Sequence, residues 1–119
     1  MRVAVLGASA KPSRYSYLAV QRLLSKGHEP IGVSPSKPKL DRVRVVGTLE
    51  ELPADVHTLT MYVGPARSAG LSDAIVHQGF KRVIFNPGSE NAALMRKLRE
   101  AGVEVVEGCT LVMLSAGSF

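Results

Sequence analysis

The chain has 119 residues, of which 45% are hydrophobic and 21% charged, with a net charge of +5 and a single cysteine. This length fits one domain and leaves no room for a second substrate domain, and the composition excludes a disordered or fibrous chain. No apolar run reaches the roughly 20 residues of a membrane-spanning helix, and one cysteine cannot form an internal disulfide. Because Met1 leads into a strand-like run without a secretory signal, we expect a single domain over residues 1–119 with a cytoplasmic location.

Short β-branched runs alternate with segments of helical spacing along the chain, a pattern typical of βαβ units and a parallel sheet. Five runs rich in Val, Ile, Leu, Met or Phe predict strands at residues 2–6, 30–33, 58–63, 82–85 and 104–106. Such composition suits strands that are buried on both faces. A short turn or helix around residues 49–52 is expected to link the second and third strands.

Helical spacing and capping residues predict three helices between these strands. Tyr17, Val20 and Leu24 form one apolar stripe on the first helix. Gly27 is suited to end that helix in a left-handed conformation. The second helix is expected to begin at Pro65 and to end near residue 79, and the third to be capped by Ser89 and to end before residue 102.

Right-handed crossovers between the five strands give the order 3-2-1-4-5. The predicted fold class is therefore α/β: a single Rossmann-like, doubly wound parallel sheet of about five strands, with helices on both faces. In such sheets ligands bind at the carboxyl ends of the strands, where the strand order reverses, here beside strand 1. The crevice would be lined by residues 7–14, 34–39, 64–65 and 86–89.

Charge is unevenly distributed, since no acidic residue precedes Glu29 while five basic residues do. A positive region of this kind attracts nucleic acid, a membrane surface or a phosphorylated small molecule. Nucleic acid is disfavoured because aromatic residues make up only 5% of the chain and Trp is absent. A phosphorylated small molecule is the favoured class of ligand.

The loop after the first strand has the chemistry of a phosphate-binding loop. A glycine lets the backbone turn tightly and approach an anion, and free amides at the start of the following helix stabilise negative charge. Serine hydroxyls and two cations add further donors. The loop matches neither the dinucleotide fingerprint nor a Walker loop. The candidate binding residues here are Gly7, Ala8, Ser9, Lys11, Ser13 and Arg14.

The loop after the second strand discriminates between nucleotides. An NAD-binding domain normally carries an Asp or Glu at this position to bind the ribose hydroxyls. This chain has no carboxylate there and offers Lys37 and Lys39 instead, which suits a phosphate on the adenosine ribose, as in NADP at the 2′ position or coenzyme A at the 3′ position. The candidate residues are Ser34, Pro35, Ser36 and Lys37.

Several segments together resemble the CoA-binding domain family, whose small stand-alone members are similar to the N-terminal domain of the succinyl-CoA synthetase alpha subunit. The resemblance covers nearly the whole chain and is carried by residues 5–9, 11–14, 16–17, 33–35, 62–65, 87–91 and 101–106 and by Cys109. One motif position departs from the family pattern, because Ser34 stands where an Asn is usual.

The resemblance implies that coenzyme A is the cofactor. It implies that the first loop holds the CoA phosphates, that the loop at residues 34–37 reaches the 3′-phosphate, and that residues 62–65 pack near the adenine or pyrophosphate. Together with the predicted crevice, it completes the set of candidate cofactor-binding residues with Tyr62, Val63, Pro65, Asn86, Pro87 and Gly88.

Catalytic and metal-binding patterns find little support in the sequence. The three histidines do not cluster at metal-ligand spacing, and no acid/base pair is recognisable. A lone cysteine such as Cys109 is typically a small buried residue. The alternative is that Cys109 forms a mixed disulfide with the CoA thiol. We therefore expect no catalytic or metal site.

The leading hypothesis is a non-enzymatic protein that binds coenzyme A or acyl-CoA, as a carrier, sensor or accessory of acyl-CoA metabolism. It would be a monomer or homodimer without a nucleic-acid or membrane partner. An NADP-binding oxidoreductase or regulator is the alternative, and a partner-binding α/β module with an empty nucleotide site is a third reading.

Overall fold

Strands and helices alternate through the computed structural model, which describes all residues from Met1 to Phe119. The strands are β1 (Arg2–Leu6), β2 (Glu29–Val33), β3 (Arg44–Val46), β4 (Thr58–Met61), β5 (Arg82–Phe85) and β6 (Glu104–Glu107). The helices are α1 (Tyr15–Ser25), α2 (Pro65–Ala69), α3 (Ser72–His77), α4 (Ala92–Glu100) and α5 (Thr110–Ala116), and a 3₁₀ helix spans Leu49–Glu51.

All six strands are parallel and form one sheet in the order β3-β2-β1-β4-β5-β6. Strand β1 is central, with Leu6 opposite Val33 of β2 on one side and opposite Met61 of β4 on the other. The chain adds β2 and β3 on one side of β1 and then β4, β5 and β6 on the other side, so the strand order reverses beside β1. The expected α/β class, the parallel doubly wound sheet and the reversal beside the first strand are confirmed.

The sheet differs from the prediction in two ways: it contains one additional strand, β3, and the strand that begins at Thr58 has a different neighbour. The place beside β2 is taken by β3, a three-residue strand that the sequence did not predict, and Val46 lies opposite Val33. The strand beginning at Thr58 pairs with β1 instead. The reason is that β3 has only three residues and is not buried on both faces, with Arg44 exposed and Val45 half-buried, so it lacks the long apolar run of the central strands, yet it completes the edge of the sheet.

The helices also differ from the prediction in detail. The segment that begins at Pro65 forms two short helices, because the backbone leaves the helical conformation around Leu71 before α3 starts. The cap of α4 is Asn91, whose side chain accepts a hydrogen bond from the Leu94 amide, and not Ser89. Ser89 is buried and instead donates its hydroxyl to the Asn86 carbonyl at 2.7 Å.

Two apolar layers cover the faces of the sheet. The larger layer packs the β-strands against the 3₁₀ helix, α3 and α4, with Leu59, Ile75 and Phe85 fully buried. The smaller layer packs β1 against α1 and α5, with Leu23 and Leu114 at its centre. Leu114 of α5 is therefore buried against the sheet, whereas Val112 on the same helix is 64% exposed. None of the helices is both long and apolar enough to span a bilayer.

The amino-terminal edge of the sheet is closed by a separate cluster of side chains. Arg82 at the start of β5 is buried and donates from Nη1 to the carbonyl of Phe119 at 2.6 Å. Its guanidinium also lies 4.4 Å from the centre of the Phe119 ring, a cation–π geometry. This edge is filled by the chain itself, so the open end of the sheet is the carboxyl edge.

Candidate functional site

An open cleft of about 510 Å³ lies at the carboxyl edge of the sheet, where β1 and β4 end side by side. Its volume falls within the range of about 300–1,000 Å³ usual for small-molecule sites. Eight of the predicted binding residues line it: Gly7, Ser9, Lys11, Arg14, Tyr62, Val63, Pro87 and Gly88. Two more lining residues, Gly64 and Ser89, belong to the predicted crevice segments, and the structure adds Tyr15, Ser16, Met61 and Arg67.

Backbone hydrogen bonds fix the floor of the cleft where β1 ends. The Gly7 amide donates to the Val33 carbonyl and the Tyr62 amide donates to the Leu6 carbonyl, both at 2.9 Å. Gly7 has φ +91°, and a Cβ atom there would come 2.8 Å from the Tyr62 carbonyl oxygen. Only glycine fits this position without strain, and it lets the first loop turn directly over the end of β4.

The first loop delivers the start of α1 to the cleft. The Lys11 amide donates to the Ser9 hydroxyl oxygen at 3.1 Å, and the Arg14 amide to the Lys11 carbonyl at 3.0 Å. No side chain caps α1, and its first turn holds no acidic residue. Its first amides are therefore available to an anion, and the helix dipole favours negative charge at the same place.

Three cations surround the cleft without a carboxylate partner. Lys11 and Arg14 come from the first loop and Arg67 from α2, and no ion pair in the structure involves any of them. The lining contains no Asp, Glu or His. Because unpaired cations that face one cavity raise the local concentration of anions, the cleft is suited to a ligand with more than one negative charge.

Tyr62 contributes a buried polar group beneath the cleft. Its hydroxyl is shielded from solvent and makes no hydrogen bond, although the hydroxyls of Thr110 and Thr60 are near enough to influence it. Those two hydroxyls bond each other at 2.7 Å. Burial raises the pKa of Tyr62 to about 12, and the nearby threonines oppose that rise only in part.

Asn86 supports the cleft from inside and does not line it, in contrast to the prediction of a direct contact. Its side chain is only 3% exposed. The Nδ2 group donates to Thr60 Oγ1 at 2.7 Å and to the Met61 carbonyl at 2.8 Å, and Oδ1 accepts from the Thr110 amide at 2.8 Å. The donors and acceptors of this amide are therefore used in joining β4, the β5 loop and α5.

The loop after β2 lies outside the cleft lining. Ser34 and Ser36 bond to each other through their hydroxyls at 3.2 Å, Pro35 is exposed, and Lys37 Nζ lies 3.8 Å from Glu51 Oε1. Ser13 and Pro65 are also exposed beside the cleft without lining it, and Ala8 is buried under the first loop. Binding by these residues stays a prediction.

Four lining residues were not predicted from the sequence: Tyr15, Ser16, Met61 and Arg67. Arg67 lies on a helix of five residues, too short to show which face it presents. Tyr15 and Ser16 begin α1, and their proximity to a loop already predicted to bind phosphate is the signal that would have added them.

These features define a Rossmann-like α/β domain with an electropositive cleft at the carboxyl edge of its sheet. The chain belongs to the CoA binding domain family, whose model matches residues 1–115. This agrees with the resemblance noted in the sequence.

Solved structures share the fold closely. The chain superposes on a crystal structure of an uncharacterized protein with a TM-score of 0.91 and 42% identity, covering 99% of this chain and 97% of the other. A conserved hypothetical protein from Pyrococcus furiosus gives a TM-score of 0.80 at 33% identity, with 88% and 90% covered.

A dinucleotide-forming acetyl-coenzyme A synthetase from Ca. Korarchaeum cryptofilum, solved with phosphate and ADP, gives a TM-score of 0.76 at 21% identity. The match covers 90% of this chain and 25% of the synthetase, so the same fold also occurs as one part of a larger chain.

Proposed function

We propose that this chain binds coenzyme A or an acyl-CoA in the cleft between β1 and β4 and has no catalytic activity of its own. The observation that carries the proposal is the set of three cations, Lys11, Arg14 and Arg67, that face one cleft without a carboxylate partner. In a member of the CoA binding domain family, the matching ligand group is the pyrophosphate.

The geometry suits a pyrophosphate for two reasons. The start of α1 offers backbone amides at one point of the cleft, and the cations come from two different elements, the first loop and α2. Each charge-assisted hydrogen bond to a phosphate contributes about 1.5–3 kcal/mol. A ligand with two linked phosphates is therefore bound more strongly than one with a single charge.

The proposal of a binding role without catalysis is supported by what surrounds the cleft. The lining holds hydroxyls, apolar groups and cations, but neither a histidine nor a carboxylate that could move a proton. The His28 ring contacts the Phe119 ring in a tilted arrangement, and His57 is hydrogen-bonded to the Thr58 hydroxyl, so both are engaged elsewhere. A carrier, sensor or accessory role in the cytoplasm belongs to the same proposal.

The decisive experiment measures the free energy of unfolding with CoA, dephospho-CoA, NADP and NAD in turn. A ligand at a hundredfold its Kd adds about 2.7 kcal/mol, and we expect CoA to give the largest gain. No stabilisation by CoA or dephospho-CoA would contradict the proposal, and stabilisation by NADP alone would favour the NADP-binding alternative. A thioester-cleavage assay with acetyl-CoA tests the absence of catalysis, and turnover would overturn that part.

Single alanine variants of Lys11, Arg14 and Arg67 test the site itself. Each is expected to weaken CoA and dephospho-CoA by about tenfold, because each removes one contact of about 1.4 kcal/mol or more with the shared pyrophosphate. Lys81→Ala is the matched control, since Lys81 is an exposed cation that precedes β5 at the opposite edge of the sheet. Equal affinities for all four variants would place the ligand elsewhere.

A further inference from the structure

Glu51 supplies a carboxylate at the edge where the sequence shows none after β2. Strands β2 and β3 run in parallel with Val33 opposite Val46, and the Ser34 amide donates to the Val46 carbonyl at 3.0 Å. The segments that follow these two strands therefore leave the sheet side by side. The 3₁₀ helix that follows β3 ends at Glu51, beside the loop that carries Lys37.

The Glu51 carboxylate is held in a fixed orientation. Its Oε2 atom accepts from the amides of Gly47 and Thr48 at 3.0 and 2.8 Å and from the Thr48 hydroxyl at 3.1 Å. These bonds, with the Thr48 amide and hydroxyl as the main causes, lower the pKa of Glu51. The carboxylate is therefore charged at neutral pH, and Oε1 remains directed toward Lys37.

Lys37 is placed against this carboxylate by its own loop. Its amide donates to the Ser34 carbonyl at 3.0 Å, and its backbone has φ +46°, a left-handed conformation that a non-glycine residue seldom adopts. Its side chain crosses Gly47, where an added Cβ atom would lie 3.0 Å from Lys37 Cε. The ammonium then lies 3.8 Å from Glu51 Oε1, with both side chains about half exposed.

The charges at this edge contrast with those of the cleft. The cleft cations have no carboxylate partner. Lys37, in the loop that is expected to reach the ribose phosphate, is paired with Glu51. This loop adjoins the cleft, because the Gly7 amide bonds to the Val33 carbonyl that precedes Ser34. An exposed ion pair of this kind contributes little free energy, so a phosphate dianion can displace the carboxylate from the lysine.

We propose that Glu51 is a specificity-determining residue, which occupies Lys37 in the free protein and must be displaced when a ribose phosphate binds. The inference rests on the proposed function. Glu51 lowers the affinity for ligands with a ribose phosphate by competing for Lys37 and by repelling the phosphate. Glu51 does not change the affinity for ligands whose ribose carries no phosphate. It therefore reduces the ratio by which CoA is bound more tightly than dephospho-CoA.

The test measures the Kd values of CoA and dephospho-CoA for the wild type, Glu51→Gln and Glu50→Gln. Glutamine keeps an oxygen for the Gly47 and Thr48 amides while removing the charge. We expect Glu51→Gln to tighten CoA binding about three- to fivefold, the factor that an exposed ion pair of up to about 1 kcal/mol supports, with dephospho-CoA unchanged. Glu50 is the matched control, an exposed neighbour on the same 3₁₀ helix whose carboxylate makes no hydrogen bond or ion pair.

The outcomes separate the two proposals. If the wild type binds neither ligand, the proposed function fails and the inference falls with it. The inference predicts that Glu51→Gln raises the ratio of the dephospho-CoA Kd to the CoA Kd. If the wild type binds CoA but this ratio stays at its wild-type value or falls in Glu51→Gln, only the inference is overturned. A change in thermal stability with an unchanged ratio would show that Glu51 serves only to cap its helix.

Discussion

The side-chain carbonyl of Asn86 accepts a hydrogen bond from the backbone amide of Thr110 at 2.8 Å, which ties the loop after β5 to the start of α5. The same side chain donates to Thr60 and to the Met61 carbonyl. One buried amide thus joins three segments of the chain directly below the cleft.

We expect Asn86→Ala to lower the free energy of unfolding by about 2–4 kcal/mol, because it leaves several buried groups without a partner. Urea unfolding measures the change. Asn91→Ala is the comparison, since it removes a helix cap and a hydrogen bond to the Ser68 hydroxyl and is expected to cost about 1–2 kcal/mol. A loss for Asn86→Ala no larger than that for Asn91→Ala would show that the network does not hold the cleft together.

Gly7→Ala tests the close approach of the first loop to β4. The variant adds a Cβ atom 2.8 Å from the Tyr62 carbonyl oxygen at a residue with φ +91°, and we expect it to reduce the free energy of unfolding by about 1–3 kcal/mol. Gly64→Ala is the matched control at the same edge, where φ is −71° and nothing lies within 4 Å of an added Cβ. Thermal unfolding of both variants makes the comparison, and equal stabilities would contradict the geometry at Gly7.

Tyr62→Phe removes a buried hydroxyl that has no hydrogen-bond partner. We expect the free energy of unfolding at neutral pH to stay the same or to rise by up to about 1 kcal/mol, because no bond is lost and a buried polar group is removed. Thr110→Val is the contrasting control, since it breaks the bond to Thr60 and is expected to cost about 1–2 kcal/mol. A clear destabilisation by Tyr62→Phe would reveal a partner for its hydroxyl.

The same tyrosine predicts a dependence of stability on alkaline pH. Burial raises the pKa of Tyr62 to about 12 in the folded chain from its ordinary value of 10.0, so between these values the folded chain keeps a proton that the unfolded chain has lost. Its contribution to the free energy of unfolding is complete below pH 10 and declines as the pH rises toward 12. Denaturation profiles of the wild type and Tyr62→Phe across this range are expected to diverge, and parallel profiles would contradict the shift.

Sequence patterns predicted most of the sheet because its four central strands, β1, β2, β4 and β5, are buried along nearly their whole length. The alternation of β1, β2, β4 and β5 with helical segments was enough to predict a parallel sheet with an open cleft at its carboxyl edge. The capping residue of α4 was missed because Ser89 and Asn91 both suit the start of a helix, and only the tertiary structure decides between them.

Contacts between segments that are distant in the sequence could not be predicted from local sequence patterns. Strand β3 has only three residues, so its place at the edge of the sheet depends on its pairing with β2. The burial of Asn86 depends on α5, which begins 24 residues later. The pairing of Lys37 with Glu51 likewise follows from the parallel exit of two strands, which no local motif shows.

Lys11, Arg14 and Arg67 are all exposed, while the bonds that shape the floor of the cleft belong to the backbone and to buried side chains. Substitutions at exposed positions usually change stability by less than about 0.5 kcal/mol. In the proposed binding mode, ligand choice and folding therefore rest on different residues, and a lineage can exchange one anionic nucleotide for another through a few surface changes while the scaffold stays intact.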